Sequence, residues 1–340
     1  MIQHYFLMFR KKIILAVILI LCLGFLFYYR TVNSPDAAFV AAGQPVLITV
    51  KQGMNVQQIG DNLYQQGIIG NVTVFRVAAK LKGLENSLQA GDYAVVPGTS
   101  MTRVLQMMAQ GETAYQQITV PEGYTIDQIA DLLEKKRLGG ASQFRAAAKK
   151  SRVLDSSSQN LTVKYAVEGY AFPNTYRFSS GTTEEQILTL MLKEFDKQIT
   201  PEMKDRAQAR GLSMRDVIIL ASLVEKEAQL TQDRPIIAAV FMNRLKMGMP
   251  LQSCATIQYI LGYPKPELSV QDTMISSPYN TYQNMGLPPG PIANPGLAAI
   301  QSVLYPTETD YLYFVADKQG AHHFSKTYEE HLIAIEQVRN

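Results

Sequence analysis

Residues 213–230 read SMRDVIILASLVEKEAQL, and the rest of the chain is organised around the helix that this stretch predicts. Ser213 and Asp216 have the spacing of a capping box, which marks a helix start. Apolar residues then dominate up to position 224, where Glu225 introduces a carboxylate. On a period of 3.6 residues, the helix neighbours of Glu225 are uncharged, so we expect it to stand alone at the edge of an apolar face.

This isolation suggests that Glu225 is a catalytic acid. Partial desolvation favours the neutral form of a carboxylic acid, and a general acid that works at neutral pH needs that form. The alternative is a structural charge at the helix end that extends into solvent. Spacing alone leaves both interpretations open.

Composition limits the classes of function. The chain has 340 residues, of which 47% are hydrophobic and 18% charged, so it can form two or three folded domains. Its net charge of +3 is too small to argue for a nucleic-acid partner. Cys22 and Cys254 lie in unrelated segments, and the four histidines lack the spacing of a zinc site. We therefore expect no disulfide, metal or cofactor.

Residues 13–29 are uncharged and strongly apolar, with basic residues on both sides. They predict a single transmembrane anchor in the inner (cytoplasmic) membrane, with residues 1–12 as a cytoplasmic tail. Everything after a linker at 30–45 would then lie outside the cytoplasm. A signal peptide is the alternative, but the small residues that could form a cleavage site lie too far downstream.

An internal repeat follows the linker. Residues 48–59 (ITVKQGMNVQQI) recur at 118–129 (ITVPEGYTIDQI), and each copy predicts a strand, a glycine turn and an amphipathic helix. We predict two related βα modules at 46–112 and 116–198, followed by a catalytic region at 199–340. The first module resembles a LysM domain, a small glycan-binding fold, although a structural spacer fits the same pattern. The predicted fold class is α+β.

Two loops add candidate site features. Glu168 is the lone acid of the aromatic segment VEGYAFPNTY at 167–176, where an isolated carboxylate needs a partner or a function. The segment at 279–296 contains four prolines and three glycines, so it can be neither helix nor strand. Such a stiff loop suits either a preorganised groove wall or a rigid surface connector.

Several motifs in register resemble one family. They are LASLVEKE at 220–227, VFMNRL at 240–245, LQS at 251–253, NTY at 280–282, GLPPGPI at 286–292 and YLYFV at 311–315. Their order and spacing, together with the N-terminal anchor, resemble the endolytic murein transglycosylases (YceG-like or MltG family). The resemblance runs from about residue 46 to the C-terminus.

The resemblance implies cleavage of the β-1,4 bond between N-acetylmuramic acid and N-acetylglucosamine within peptidoglycan strands, leaving 1,6-anhydromuramyl ends. It places the catalytic glutamate on Glu225, which would protonate the leaving oxygen and then accept the proton of the attacking C6 hydroxyl. One acid then suffices, whereas glycoside hydrolases need two carboxylates. The residues that we expect to bind substrate are Gln252, Ser253, Thr256, Asn280, Tyr282 and Glu168.

The chain departs from the family pattern at Cys254–Ala255, where Asp-Pro is usual, and at Asn174, where Asp is usual. Neither change removes Glu225. His322 is a weaker candidate for the groove.

Two alternatives stay open. A non-catalytic glycan-binding scaffold for cell-wall synthases would have no reason to place an isolated acid at position 225. An ordinary muramidase would use water, with Asp233 or Glu227 as the second carboxylate, and would leave reducing ends. The resemblance and the anchor also imply work beside peptidoglycan synthases, where such an enzyme would set strand length.

Overall fold

The structure is a computed structural model that describes residues 13–24, 26, 28, 30, 44–151, 163–179, 182–265 and 267–339. It divides into two compact units. The first runs to residue 116 and includes 178–181, and the second comprises 117–177 and 182–340. The predicted modules at 116–198 and 199–340 therefore fall almost entirely in the second unit, and the boundary between them stays a prediction.

Helices and short strands make up the described chain. In order, the elements are β1 (Val46–Val50), α1 (Val56–Gln65), α2 (Val72–Leu81), β2 (Gly91–Val95), α3 (Met101–Gln110), β3 (Tyr115–Thr119), α4 (Ile126–Lys135), α5 (Ala141–Lys150), β4 (Thr175–Ser179), α6 (Glu184–Gln198), α7 (Pro201–Ala209), α8 (Met214–Glu227), α9 (Arg234–Lys246), α10 (Cys254–Leu261), α11 (Leu297–Leu304), β5 (Tyr313–Ala316), β6 (His322–Ser325) and α12 (Tyr328–Arg339).

The strands form small sheets, so the predicted α+β class is confirmed. Within the described chain each sheet has two strands, pairing β1 with β2, β3 with β4, and β5 with β6. The β1–β2 and β5–β6 pairs are antiparallel. In the second of these, Phe314 lies opposite Phe324 and Ala316 opposite His322.

Residues 13–24 are helical, as the apolar pattern predicts. Across the part of the chain that the structure describes, no helix is both long and apolar enough to cross a membrane. The predicted cytoplasmic tail, residues 1–12, and most of the linker lie outside the described residues.

Helix α8 is the central element of the second unit. Its residues from Val217 to Val224 are all buried, and α9 and α11 pack against it. The predicted capping box is present, since the Ser213 hydroxyl accepts from the backbone N–H of Asp216 and the Asp216 carboxylate accepts from that of Ser213. The helix ends at Glu227 rather than near Leu230, because Ala228 takes an extended conformation as its C-cap.

The two copies of the repeat have the same local structure. Each is a strand, a left-handed glycine and a helix with a capping box, formed by Asn55 with Gln58 in one copy and by Thr125 with Gln128 in the other. The prediction of related strand–turn–helix segments is therefore confirmed at the level of secondary structure. Binding of glycan by the first module stays a prediction.

The glycine at position 169 is required by a close approach in the core of the second unit. Its φ is +89°, which strains any residue that has a side chain. A Cβ atom at this position would lie only 2.5 Å from Pro291 Cγ and 2.9 Å from Ile218 Cγ2, so there is no room for one. We expect Gly169→Ala to lower the free energy of unfolding by about 3 kcal/mol, from backbone strain and overpacking together. Urea denaturation of both proteins measures this loss.

Gly211→Ala is the matched control. Gly211 also has a positive φ, +71°, but nothing lies within 4 Å of its Cβ position. Only the strain remains, so we expect a loss of about 1 kcal/mol. Equal losses at the two positions would contradict the packing argument.

Candidate active site

Three charged side chains leave the last turn of α8 in different directions. Glu225, Lys226 and Glu227 follow the buried segment directly, and successive helical residues are about 100° apart around the axis. Lys226 donates to the carbonyl oxygen of Gly123 at 3.4 Å. The two glutamates have contrasting environments.

Glu225 is not isolated from charge, which corrects the expectation from helix spacing. Its Oε1 lies 3.1 Å from Nη2 of Arg234, and its Oε2 accepts from the backbone N–H of Gly296 at 3.0 Å. The side chain of Glu225 is only 6% exposed and that of Arg234 is 14% exposed. Glu225 therefore has a cationic partner and a backbone donor within hydrogen-bond distance. The error arose because helix periodicity describes only neighbours on the same helix, whereas Arg234 starts the next one.

Arg234 also approaches a second carboxylate. Its Nη2 lies 3.7 Å from Oε2 of Glu122, which is about half-exposed. Burial and the nearby charge of Glu225 raise the pKa of Glu122, while Arg234 opposes that effect. The Nε atom of Arg234 is buried and has no hydrogen-bond partner among the described residues. Arg234 is therefore the cation that holds Glu225 and Glu122 near each other.

Glu227 lies at a pocket and has a different environment. Its Oε1 accepts a short hydrogen bond of 2.5 Å from the hydroxyl of Ser253. Burial raises its pKa, although hydrogen bonds from Ser253 and from the backbone of Ala255, followed by the charges of His322 and Arg244, act in the opposite direction. A carboxyl group with a raised pKa that reaches a pocket has the properties of a general acid.

The pocket has a volume of about 460 Å³ and lies within the second unit. The residues that line it are Lys226, Glu227, Gln229, Arg244, Leu251, Gln252, Cys254, Tyr282, Phe314, Val315, Ala316, His322 and His331. Glu225 does not line it. The pocket combines one acid, several hydrogen-bonding side chains and an aromatic wall, which suits a sugar ring with its hydroxyl groups.

Three of the predicted substrate contacts lie around this pocket. Gln252 and Tyr282 line it, and Ser253 donates a hydrogen bond to Glu227, which also lines it. Gln252 has a φ of +49°, and its backbone N–H donates to the carbonyl oxygen of Thr281 at 3.0 Å. This strained conformation at a pocket wall is consistent with a functional position. Contact of these three residues with substrate stays a prediction.

Two other predicted contacts do not line the pocket. Thr256 and Asn280 are completely buried. The Thr256 hydroxyl donates to the carbonyl oxygen of Ser253 at 2.7 Å, and the Asn280 amide donates to the carbonyl oxygens of Thr273 and Ile275. These bonds hold the loops that carry Ser253 and Tyr282, so their geometry supports a structural role.

Comparisons with known proteins identify the family. The profile of the YceG-like family matches residues 48–337. The chain belongs to the YceG-like family. It is 36% identical over 315 residues to an endolytic murein transglycosylase of Streptococcus pneumoniae serotype 2, covering 84% of this chain and 57% of that protein. It thus spans little more than half the length of the streptococcal relative.

Two further relatives match over most of their length. An endolytic murein transglycosylase of Bacillus subtilis is 35% identical over 299 residues, covering 84% of this chain and 82% of that protein. The crystal structure of a YceG-like protein from Listeria monocytogenes has a TM-score of 0.61 and 33% identity, covering 85% of this chain and 98% of that one. The family membership suggested by the sequence motifs is confirmed.

Glu168 has an internal role in this family member. It is 1% exposed, and its carboxylate accepts from the backbone N–H of Ile126, the amide of Asn294 and the hydroxyl of Tyr259 at 3.0–3.3 Å. Ile126 is the first residue of α4, so the carboxylate binds a helix N-terminus. It does not line the pocket of Glu227. Its predicted contact with substrate therefore has no support from the geometry.

Burial raises the pKa of Glu168 to about 8, against the opposing effect of the Ile126 and Tyr259 hydrogen bonds. The folded state therefore holds this proton more tightly than the unfolded state. The resulting stabilisation is complete below the unfolded pKa of about 4.5 and is lost as the pH rises through about 8. Between these two pH values, this group lowers the free energy of unfolding by about 1.4 kcal/mol for each pH unit that the pH rises.

We expect Glu168→Gln to remove this contribution to the pH dependence of the free energy of unfolding. Urea denaturation at pH 5 and pH 8 should show a smaller loss of stability in the variant than in the wild type. Glu185→Gln, at an exposed position of α6, is the control and should keep the wild-type slope. An unchanged slope in Glu168→Gln would contradict a buried proton at this site.

Cys254 and Asn174 are the two departures from the family pattern. The thiol of Cys254 lies 3.1 Å from the hydroxyl of Tyr282 at the pocket wall. Burial raises its pKa, which keeps it a neutral thiol where the family has an acid. Asn174 bonds to Glu194 at 3.2 Å and does not line the pocket.

Sequence reasoning missed the surroundings of four residues, which are Glu227, Arg234, Asp233 and His322. Glu227 had a signal, since the acids of the VEKE segment lie two positions apart at a helix end and so face different surroundings. The contacts of Arg234 with Glu225 and of Asp233 with His322 had none, because the partners come from different elements. Only the fold brings these groups together.

Proposed function

We propose that this chain is a peptidoglycan lytic transglycosylase that cleaves the β-1,4 bond between N-acetylmuramic acid and N-acetylglucosamine within glycan strands. The observation that carries the proposal is Glu227, an acid with a raised pKa at a pocket. The Streptococcus and Bacillus relatives, which are named endolytic murein transglycosylases, support the same reaction class, that of a lyase. The expected product is a 1,6-anhydromuramyl end.

In the proposed reaction Glu227 is the general acid, in place of the Glu225 that the sequence motif suggested. The neutral carboxyl group of Glu227 gives its proton to the glycosidic oxygen as the bond to C1 of the muramic acid breaks. The attacking group is the C6 hydroxyl of the same sugar, so no second carboxylate has to activate water. Closure within one sugar ring also gains from proximity.

Ser253 has a defined part in this step. Its hydroxyl donates to Glu227 Oε1 at 2.5 Å, which orients the carboxyl group and stabilises the anion that remains after proton transfer. Gln252 and Tyr282, on the same pocket wall, supply hydrogen-bonding groups for sugar hydroxyls. Burial raises the pKa of Tyr282, so its hydroxyl stays a donor at neutral pH.

The finer parts of the proposal concern location and partners. Residues 13–29 would anchor the chain in the inner membrane with the pocket on the extracytoplasmic side, as their apolar pattern and flanking basic residues predict. The LysM-like segment at 46–112 would bind glycan. Beside peptidoglycan synthases, cleavage within nascent strands would terminate their elongation.

The test is mass spectrometry of purified peptidoglycan digested by the full-length chain in detergent micelles. Internal fragments with anhydromuramyl ends are expected. Fragments with reducing ends would instead mean a muramidase that uses water. Binding to peptidoglycan without cleavage would favour the non-catalytic scaffold.

A further inference from the structure

A second pocket lies next to the pocket of Glu227 within the second unit. Lys226 lines both pockets, and the consecutive residues Cys254 and Ala255, at the start of α10, line one each. At about 1.5 Å per residue, the eight residues of α10 extend about 12 Å from there to the turn at Tyr263. Successive sugars of a strand can span that length. The second pocket, here called the Tyr263 pocket, is lined by Gln128, Ala255, Gln258, Tyr263, Pro264 and Ile292, among others.

Tyr263 presents an aromatic ring that is largely uncovered. It is 56% exposed and follows Gly262, which ends α10 in the left-handed conformation with a φ of +80°. In the part of the chain that the structure describes, its ring has no aromatic or cationic partner and its hydroxyl has no hydrogen bond. A tyrosine combines a large apolar face with a polar edge. This combination matches the apolar face and the hydroxyl rim of a sugar ring.

Two glutamine side chains at the Tyr263 pocket each have an amide atom to spare. Oε1 of Gln128 accepts from the backbone N–H of Thr125 at 2.9 Å, which leaves its Nε2 as a donor. Nε2 of Gln258 donates to the carbonyl oxygen of Lys265 at 3.2 Å, which leaves its Oε1 as an acceptor. Neither remaining atom has a partner among the described residues. The pocket therefore offers a ligand one donor and one acceptor.

The size of the Tyr263 pocket suits a substituent rather than a whole sugar ring. Its volume is about 100 Å³, against about 460 Å³ for the pocket of Glu227. At roughly 30 Å³ per water molecule, it has room for a group of a few atoms. Ala255, Pro264 and Ile292 give it an apolar part. An acetamido group, which has an N–H, a carbonyl oxygen and a methyl group, complements the glutamine acceptor, the glutamine donor and this apolar part.

We propose that the Tyr263 pocket is a second glycan subsite, which takes an N-acetylated sugar of the strand with the acetamido group in the pocket and the ring on Tyr263. This inference rests on the proposed cleavage within glycan strands. A bond inside a strand has sugars on both sides, and contacts with the more distant sugars hold the reacting bond in place at the acid. The Tyr263 pocket supplies such contacts at the far end of α10.

The internal repeat supports this location. Thr125 and Asp127 of the second copy line the Tyr263 pocket, and the matching residues of the first copy, Asn55 and Gln57, line a pocket in the first unit. The segment that follows the glycine turn therefore forms a pocket wall in both copies. The pocket of the second copy adjoins that of Glu227 through Lys226.

Gln128→Glu tests the amide donor without removing the helix cap. A glutamate oxygen still accepts from the backbone N–H of Thr125, but it has no N–H for the acetamido oxygen. Gln186→Glu is the matched control, since Gln186 caps α6 by the same bond, to Thr183 at 2.9 Å, and lines neither pocket.

The kinetic readout is the release of anhydromuramyl ends from soluble, uncross-linked glycan strands by the full-length protein in detergent micelles. We expect Gln128→Glu to raise KM about tenfold with kcat within about threefold of the wild type. Gln186→Glu should change neither value.

Tyr263→Ala tests the ring. We expect it to raise KM about tenfold, and Tyr263→Phe, which keeps the ring, to restore KM to within about threefold of the wild type. Tyr305→Ala is the control, because Tyr305 is 54% exposed in the same unit and lines neither pocket. It should leave KM unchanged.

Fluorine NMR reports on the pocket directly and needs no cleavage. The full-length protein carries fluorotyrosine at position 263 or, as a control, at position 305. The probes are β-1,4-linked tetramers of N-acetylglucosamine and of glucose, the second of which lacks acetamido groups. We expect the N-acetylglucosamine tetramer to shift the signal at 263 but not that at 305, and the glucose tetramer to need a concentration at least about tenfold higher.

Three results would each overturn the proposal: no shift at 263 with the N-acetylglucosamine tetramer, an equal response to both tetramers, or a KM of Gln128→Glu within about twofold of the wild type. A shift that requires peptide-bearing strands would also overturn it, in favour of a site for the stem peptide. A shift at 263 without anhydromuramyl ends from the wild-type protein would instead support the subsite and overturn the proposed reaction.

Discussion

Glu227→Gln is expected to abolish formation of anhydromuramyl ends, with kcat lowered at least about 1,000-fold. Glutamine keeps the size of the side chain and can still accept from Ser253, but it has no proton to give to the glycosidic oxygen. Since Glu227 reaches the pocket and carries a raised pKa, the loss should fall on kcat rather than KM. Mass-spectrometric quantification of products over time measures it.

Glu225→Gln is the matched comparison within the same helical turn. Its carboxylate binds Arg234 and the backbone of Gly296 and does not line the pocket. We expect the folded variant to retain kcat within about tenfold of the wild type. The opposite result, an inactive Glu225→Gln beside an active Glu227→Gln, would restore the assignment that the sequence motif suggested.

The largest loss of stability is expected from Arg234→Gln. This change leaves the Glu225 carboxylate, 6% exposed, without its cation. Removing one partner of a buried ion pair costs about 3–5 kcal/mol, because the remaining charge is desolvated and unpaired. Urea denaturation of the variant and the wild type should show a loss of this size in the free energy of unfolding.

A double-mutant cycle tests the cause of that loss. Glu225→Gln combined with Arg234→Gln removes both charges, so the double variant should be more stable than Arg234→Gln alone. Arg103→Gln is the exposed control, since Arg103 and Glu112 form a pair with 48% and 38% exposure. It should cost less than about 1 kcal/mol. If the double variant lost the sum of the stability losses of Glu225→Gln and Arg234→Gln, the ion-pair explanation would be wrong.

Local elements of this protein were predictable because their signals are contained within a few residues. Ser213 and Asp216 form the capping box that their spacing indicates, and the repeat at 48–59 and 118–129 forms the same strand–turn–helix twice. A capping box or glycine turn is stabilised by bonds between residues three or four apart. Sequence therefore suffices for such features.

The environment of each candidate site residue was not predictable in the same way. Glu168 was predicted to contact substrate because it is a lone acid among aromatics, yet it binds the N-terminus of α4. Asn280 belongs to the NTY motif and Thr256 lies three residues after the LQS motif, yet both hold loops from within. A motif gives the identity of a residue but not the direction of its side chain.

By itself, the sequence determined the family, the α+β class, the start of the central helix and the turn that carries the VEKE acids. Only the tertiary structure shows how the surroundings of those acids differ. It brings Arg234 to Glu225, and it brings Ser253, His322 and a pocket to Glu227. Burial and neighbouring charge set whether a carboxyl group can give up a proton near neutral pH, and both come from segments distant along the chain.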